Sequence, residues 1–204
     1  MSTVTHARMT PTALRILGTA EQLFYQHGLR AVGVERIADE ADTTKKTIYD
    51  RFGSKDGLIT ACLQRRSDRW HAFVTAYIDE HHPAPGLPQV MGVLDALEQW
   101  MADNTRGCGF VNAYAELAGT GHEALPIIAA EKAWTRDLYV SLLSALAVPD
   151  ADLRGRELAI VHEGAVVQMT AGEQADALAV ARALQQRLVA EAVEAGLRPV
   201  GSHP

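Results

Sequence analysis

Apolar residues recur along this chain at intervals of three and four, and no segment alternates with period two over a useful length. That spacing gathers apolar side chains on one face of a 3.6-residue helix and leaves no strand pattern, so the chain is confined to an all-α fold. The first helix is predicted over 12–27, with Ala13, Ile16, Leu17, Ala20, Leu23 and Phe24 inward, Thr12 as its cap and Gly28 as its stop. Two short helices follow. One covers 34–41 behind Gly33; the other covers 44–52, is anchored by Ile48 and Phe52 and is closed by Gly53. Ser54 is a ready N-cap for a long helix over 55–82. Beyond the linker at 81–86, helices fit 88–102, 110–117, 125–146, 150–171 (closed by Gly172) and 175–195 (closed by Gly196), about nine in all. Residues 197–204 are predicted to be a loose tail.

Charge distribution divides the chain more sharply than its net charge of −6. Residues 1–66 hold ten Lys/Arg against seven Asp/Glu, and the remainder holds nine against eighteen. Within 44–55 there are four basic residues and one acid. A small basic head on an acidic body fits a head that meets phosphate and a body that does not. No apolar run approaches the roughly 18–20 residues of a membrane helix. The polar start, Met1 to Pro11, lacks the apolar centre of a signal peptide, so a cytoplasmic location is expected. Two cysteines, Cys62 and Cys108, are too few for a disulfide framework.

Residues 33–52 carry the most information. Two short helices joined by about three residues, the second exposing polar and basic groups, form the helix-turn-helix pattern, although an ordinary solvated helix pair in a bundle has the same periodicity. A recognition helix must fit the major groove, so its outer face is polar and narrow. Thr43, Thr44, Lys45, Lys46, Thr47, Tyr49, Asp50 and Arg51 supply such a face. The run from Ile37 to Leu58, IADEADTTKKTIYDRFGSKDGL, resembles the TetR-family signature, loosely IA..AGVS.GTLY.YF.SKE.L, and Ala20, Phe24, Gly28 and Ala31 before it agree as well.

The resemblance implies a helix-turn-helix DNA-binding domain over 1–54 and a helical effector-binding and dimerisation domain over 55–204. It implies a transcriptional regulator, most commonly a repressor, that binds a palindromic double-stranded operator as a homodimer and is released by a small-molecule effector. It implies that Thr44 caps the recognition helix and donates to phosphate, that Thr47 and Tyr49 contact DNA, and that Lys55 grips the backbone at a helix N-terminus. Lys45 and Arg51, at variable groove-facing positions, are the candidates for reading bases. Thr43 and Lys46 complete the expected DNA-binding set. Three departures from the signature matter. Gly33 replaces a hydroxyl residue, Lys46 replaces a glycine and must swing aside or take a phosphate, and Asp50 must face a base amine or pair with a cation.

In the body, Val161, Ala165 and Met169 on the eighth helix and Leu178, Ala181, Leu184, Leu188 and Ala192 on the ninth make apolar stripes rich in small residues. They suit either an isologous four-helix interface through the last two long helices or burial within one chain. Polar and aromatic residues on apolar faces are the effector-pocket candidates: His71, Trp100, Asn112, Tyr114, Glu116, Trp134, His162 and Gln168. For each alone a structural role carries more weight. The pocket is expected between helices four and eight, with His162 or Asn112 as polar anchor. Cys108 sits between two glycines with no activating cation in its sequence neighbourhood. His81-His82 is too sparse for a metal site, and no metal or other cofactor is expected. With no catalytic constellation in the sequence, the chain is not read as an enzyme. The competing reading is a helical small-molecule-binding protein or enzyme without DNA binding.

Overall fold

The structure, a computed structural model, describes residues 9–197. Among them nine helices run in order: α1 (Pro11–His27), α2 (Val34–Glu40), α3 (Lys45–Phe52), α4 (Lys55–His81), α5 (Leu87–Met101), α6 (Gly109–Leu117), α7 (Leu125–Ala145), α8 (Ala151–Thr170) and α9 (Ala177–Leu197). The expected all-α fold and helix count hold. The expected tail lies outside the described residues from 198 onward, and Leu197 ends α9.

Helix ends are where sequence and structure differ. The cap of α1 is Thr10, whose side chain accepts from the Ala13 amide at 3.3 Å. Thr12 is inside the helix, because Pro11 occupies the first position, where its missing N–H costs nothing. Gly28 ends α1 as expected, at φ +91°. α9 starts two residues later than the apolar pattern suggests and runs through Gly196, so the spacing of its apolar residues outweighs one glycine.

The chain divides into two compact units. The first takes the chain up to Asp68 together with Gly109–Ile128; the second takes Arg69–Cys108 and the chain from Ala129 onward. The first unit is built on Ile16, Leu17, Ile37, Ile48 and Leu58, each less than 2% exposed. Full burial of a side chain of this size contributes about 1.5–3 kcal/mol.

The second unit packs α5, α8 and α9 with the later parts of α4 and α7 around Trp70, Val74, Val93, Leu94, Tyr139, Leu143, Leu158 and Val189. Arg182 on α9 ties to α5 by ion pairs with Asp95 and with Glu98, the latter at 3.2 Å. No helix among the described residues is long and apolar enough to cross a membrane.

The small-residue stripes resolve here, toward burial in one chain. Ala165, Ala181 and Ala192 are 5%, 6% and 2% exposed, and Val161, Met169, Leu178 and Leu188 pack against the same core. They therefore do not form a free interface. The apolar residues that α8 and α9 leave in solvent are others: Leu153, Ile160, Val167, Val180 and Val193, with Ile160 72% exposed.

Candidate nucleic-acid interface

The segment from Gly33 to Lys55 is fixed from several sides. α2 begins at Gly33 with no side-chain cap and buries Val34, Ile37 and Ala38. Its end is locked from α1: Arg15 Nε donates to the Ala41 carbonyl at 2.8 Å, and its guanidinium also reaches the Asp42 carbonyl at 3.4 Å. Asp42 holds the turn at φ +46°, in the left-handed region that a short polar side chain tolerates better than most. The half-buried Thr43 then turns its amide back to the Ala38 carbonyl at 2.9 Å.

Thr44 caps α3 by accepting from the Thr47 amide at 3.1 Å, and the two hydroxyls are 3.0 Å apart. Ile48 is fully buried and sets the rotation of α3. Gly53, at φ +75°, closes the helix with its amide on the Tyr49 carbonyl at 2.8 Å. Ser54 accepts from the Gly57 amide at 2.9 Å and caps α4, which leaves Lys55 in its first turn.

With Ile48 inward, Lys45, Lys46, Tyr49, Asp50 and Arg51 are exposed. Two of these cations are already engaged. Lys46 bonds Asp50 one turn along at 2.6 Å. Lys45 reaches across the turn to Glu35 of α2 at 2.8 Å. The Lys45 hydrogen bond holds the Glu35 carboxyl below its ordinary value, and Glu35 in turn raises Lys45. Of the two alternatives for Asp50, pairing with a cation is the one realised.

Arg51 and Lys55 have no ion-pair partner among the described residues, so Arg51 is the better placed of the two base-reading candidates. The Glu35–Lys45 pair and the Arg15 lock escaped the sequence reading. Each joins residues ten or more apart, beyond the reach of helical periodicity.

A family profile described as "Bacterial regulatory proteins, tetR family" matches residues 16–62, the span just built. The helix-turn-helix segment of this chain is thus similar to that of the TetR family. The HTH-type transcriptional regulator YvkB of Bacillus subtilis (strain 168) is 41% identical over 59 residues, which are 29% of this chain and 31% of that protein. The HTH-type transcriptional activator FasR of Mycolicibacterium smegmatis is 39% identical over 54 residues, or 26% of this chain and 25% of that one. These matches span a third or less of the curated relatives' length. Over the full fold, the crystal structure of SCO4454, a TetR-family transcriptional regulator from Streptomyces coelicolor, superposes with a TM-score of 0.76 at 28% identity, covering 89% of this chain and 96% of that one.

The expected effector residues divide between the two units. Asn112 and Tyr114 belong to the first unit, and Tyr114 is 55% exposed. Glu116 is structural. Its carboxylate accepts from the Leu29 and Arg30 amides, both at 2.8 Å, across the turn that follows α1. Gln168 is exposed.

Four candidates belong to the second unit. His71 stacks on Trp134 with ring centres 3.8 Å apart and bonds the buried Glu131 at 2.8 Å. Trp70 meets Trp100 edge-on at 5.3 Å and His162 at 6.3 Å. Gln185, missed in the sequence because glutamine on a helix is ordinarily solvated, is fully buried and donates to the Tyr139 hydroxyl at 3.2 Å and the Leu158 carbonyl at 3.0 Å. The Tyr139 O–H is thereby left to donate to His162 Nδ1 at 3.2 Å.

This arrangement suits a neutral imidazole, and burial lowers His162 from 6.5 to about 4. The unfolded chain binds that proton near pH 6.5 and the folded chain does not. Stability is therefore complete above pH 6.5 and lost as pH falls toward 4, by about 3 kcal/mol from this residue. Urea midpoints measured from pH 7 to pH 4 should fall, and His162→Leu should flatten that part of the curve. An equal fall in both proteins would remove His162 as the cause.

Proposed function

We propose that this chain is a dimeric, DNA-binding transcriptional regulator that sits on a palindromic operator, most simply as a repressor, and leaves it when a small-molecule effector binds the helical body. The observation that carries the reading is the α3 face. It is rotated outward by one fully buried isoleucine and presents Thr44, Thr47, Tyr49 and Arg51, with Lys55 at the start of the next helix. Thr43, half-buried, positions the turn. Exposed ion pairs are worth under about 1 kcal/mol each, so Lys45 and Lys46 can exchange Glu35 and Asp50 for phosphate oxygens. Location in the cytoplasm and action by binding rather than catalysis go with this reading. Transcription from the recovered operator, with and without the protein, gives the sign of regulation; a relative named above is called an activator.

Two copies are proposed to meet through the solvent face of α8 and α9, where Ile160, Val167, Val180 and Val193 are exposed. An isologous face of this kind matches the two-fold symmetry of a palindrome. The effector is assigned to the second unit near Trp100, His162, His71 and Trp134, where apolar walls carry a few polar groups. DNA and effector must then antagonise each other reciprocally, because each favours a different state.

Selection of bound DNA from a random pool, followed by titration at several salt concentrations, tests the reading. A recovered palindrome and a negative salt slope are expected. Lys55→Ala should weaken binding to all sequences alike and reduce the slope by about one. Arg51→Ala should relax preference at one position per half-site, at about 1–3 kcal/mol. No sequence enrichment and no salt dependence would instead favour a helical small-molecule-binding protein without a DNA role. Asp50→Asn removes an acid from the DNA-facing side and frees Lys46. It should tighten binding to all sequences several-fold and steepen the slope. Weaker binding of this variant would mean that Asp50 itself touches a base.

A further inference from the structure

Cys108 lies in the connection between α5 and α6, immediately before the first residue of α6. The strand of chain leading into it is closely held. Gly107 is at φ +79°, and a Cβ there would come within 3.1 Å of the Thr170 hydroxyl on α8. The cysteine is half-buried and packs on the rim of the second unit's core.

Its sequence neighbours offer no cation, but the fold supplies one. Lys132 of α7 donates from Nζ to Cys108 Sγ at 3.3 Å. The same ammonium is gripped by both oxygens of Glu163 on α8, each at 2.8 Å. Burial would lower Lys132, but Cys108 and Glu163 beside it outweigh that and hold it above its ordinary value. The three side chains come from the α5–α6 connection, α7 and α8, so the cluster exists only in the folded unit.

Thiolate, not thiol, is the attacking form of cysteine, and reactive cysteines occur beside lysine ammonium groups with partial access to solvent. The second cysteine has the opposite setting. Cys62 is 4% exposed, its thiol faces the Leu17 carbonyl at 3.9 Å, and burial pushes it far up.

We propose that Cys108, with Lys132 and Glu163, is a covalent site for soft electrophiles of the α,β-unsaturated carbonyl class. The Cys108 S–H gives its proton to water, the thiolate sulfur forms a C–S bond to the β-carbon, and the electron pair of the C=C bond moves to the carbonyl as an enolate. The Lys132 ammonium protonates that enolate and recovers its proton from water, while Glu163 keeps the nitrogen in place. The net change is addition of S–H across the double bond. It needs no oxidant and releases no leaving group. The site stands independently of the DNA-binding and effector readings.

The test treats the purified full chain with methyl vinyl ketone at neutral pH and follows adducts by intact mass and peptide mapping. One adduct is expected, on Cys108, with Cys62 unmodified. Cys108 should react measurably faster in the folded chain than in the same chain unfolded in guanidinium, where Lys132 is no longer beside it. Lys132→Met should lose that acceleration, and Lys132→Arg, which keeps the charge, should retain most of it. Equal modification of both cysteines overturns the proposal. So does a folded-state rate no greater than the unfolded one, which decides the matter even if Lys132→Met does not fold.

Discussion

Ala181→Glu is expected to unfold the second unit rather than to separate a folded dimer. Ala181 is 6% exposed within a single chain and belongs to the same core as Leu94, Leu143 and Leu158. A glutamate there replaces a methyl group already packed in that core. Overpacking and an unpaired buried charge together should remove roughly 3–5 kcal/mol, a large fraction of a typical domain's stability. Ile160→Glu is the contrasting variant. Its side chain is already in solvent in the single chain, so the urea midpoint should scarcely move, within about 0.5 kcal/mol. Sedimentation should nevertheless show monomers that no longer hold a palindromic site. If Ala181→Glu keeps the parent midpoint, the packing of α9 described above is wrong. If Ile160→Glu remains dimeric, the interface lies elsewhere.

Glu116→Ala should loosen the turn between α1 and α2. Both carboxylate oxygens are used, one on the Leu29 amide and one on the Arg30 amide, and the Arg30 guanidinium donates to the Glu116 carbonyl at 2.7 Å. Leu29 is 6% exposed, so water cannot fully replace the lost acceptor at its amide. Hydrogen bonds to a charged group contribute about 1.5–3 kcal/mol each, and partial hydration at Arg30 brings the expected total to about 2–4 kcal/mol. Hydrogen exchange at the Leu29 and Arg30 amides should quicken before that of the α1 interior. Glu116→Gln, which keeps one acceptor oxygen, should fall between. Unchanged protection at both amides in the alanine variant would show that the clamp is dispensable.

The Glu116 clamp and the Ala181 burial also mark where sequence reading stops. Helix existence was legible throughout, because spacing of three and four residues is a local property. Caps held where a hydroxyl residue stands directly before the helix, as at Thr44 and Ser54, and failed at α1, where Thr10 and Thr12 flank a proline and both look suitable. The α8 and α9 stripes could not be divided between core and surface from one sequence, since both faces carry alanine and valine. Glu116 read as a pocket residue because its partners are backbone amides 86 and 87 positions away, which have no signature of their own. The exposed positions of α3 were legible from the motif, but their pairing was not. Lys45 looked free until the fold brought Glu35 beside it, and Cys108 looked inert until Lys132 arrived from α7.

Internal pairing on α3 has a consequence for how the protein spends its time in a cell. Attraction to arbitrary DNA comes mainly from counterions released as free cations meet phosphate. Lys45 and Lys46 must each release a carboxylate before meeting phosphate, so on the proposed reading they add less to that attraction than Arg51 and Lys55, on a chain whose net charge is −6. On the proposed reading, such a protein should slide less along random DNA and spend more of its time in free solution between encounters. Fewer copies would then be sequestered by the genome, operator occupancy would follow the total number of molecules more directly, and the operator would be found by repeated three-dimensional encounters more than by scanning.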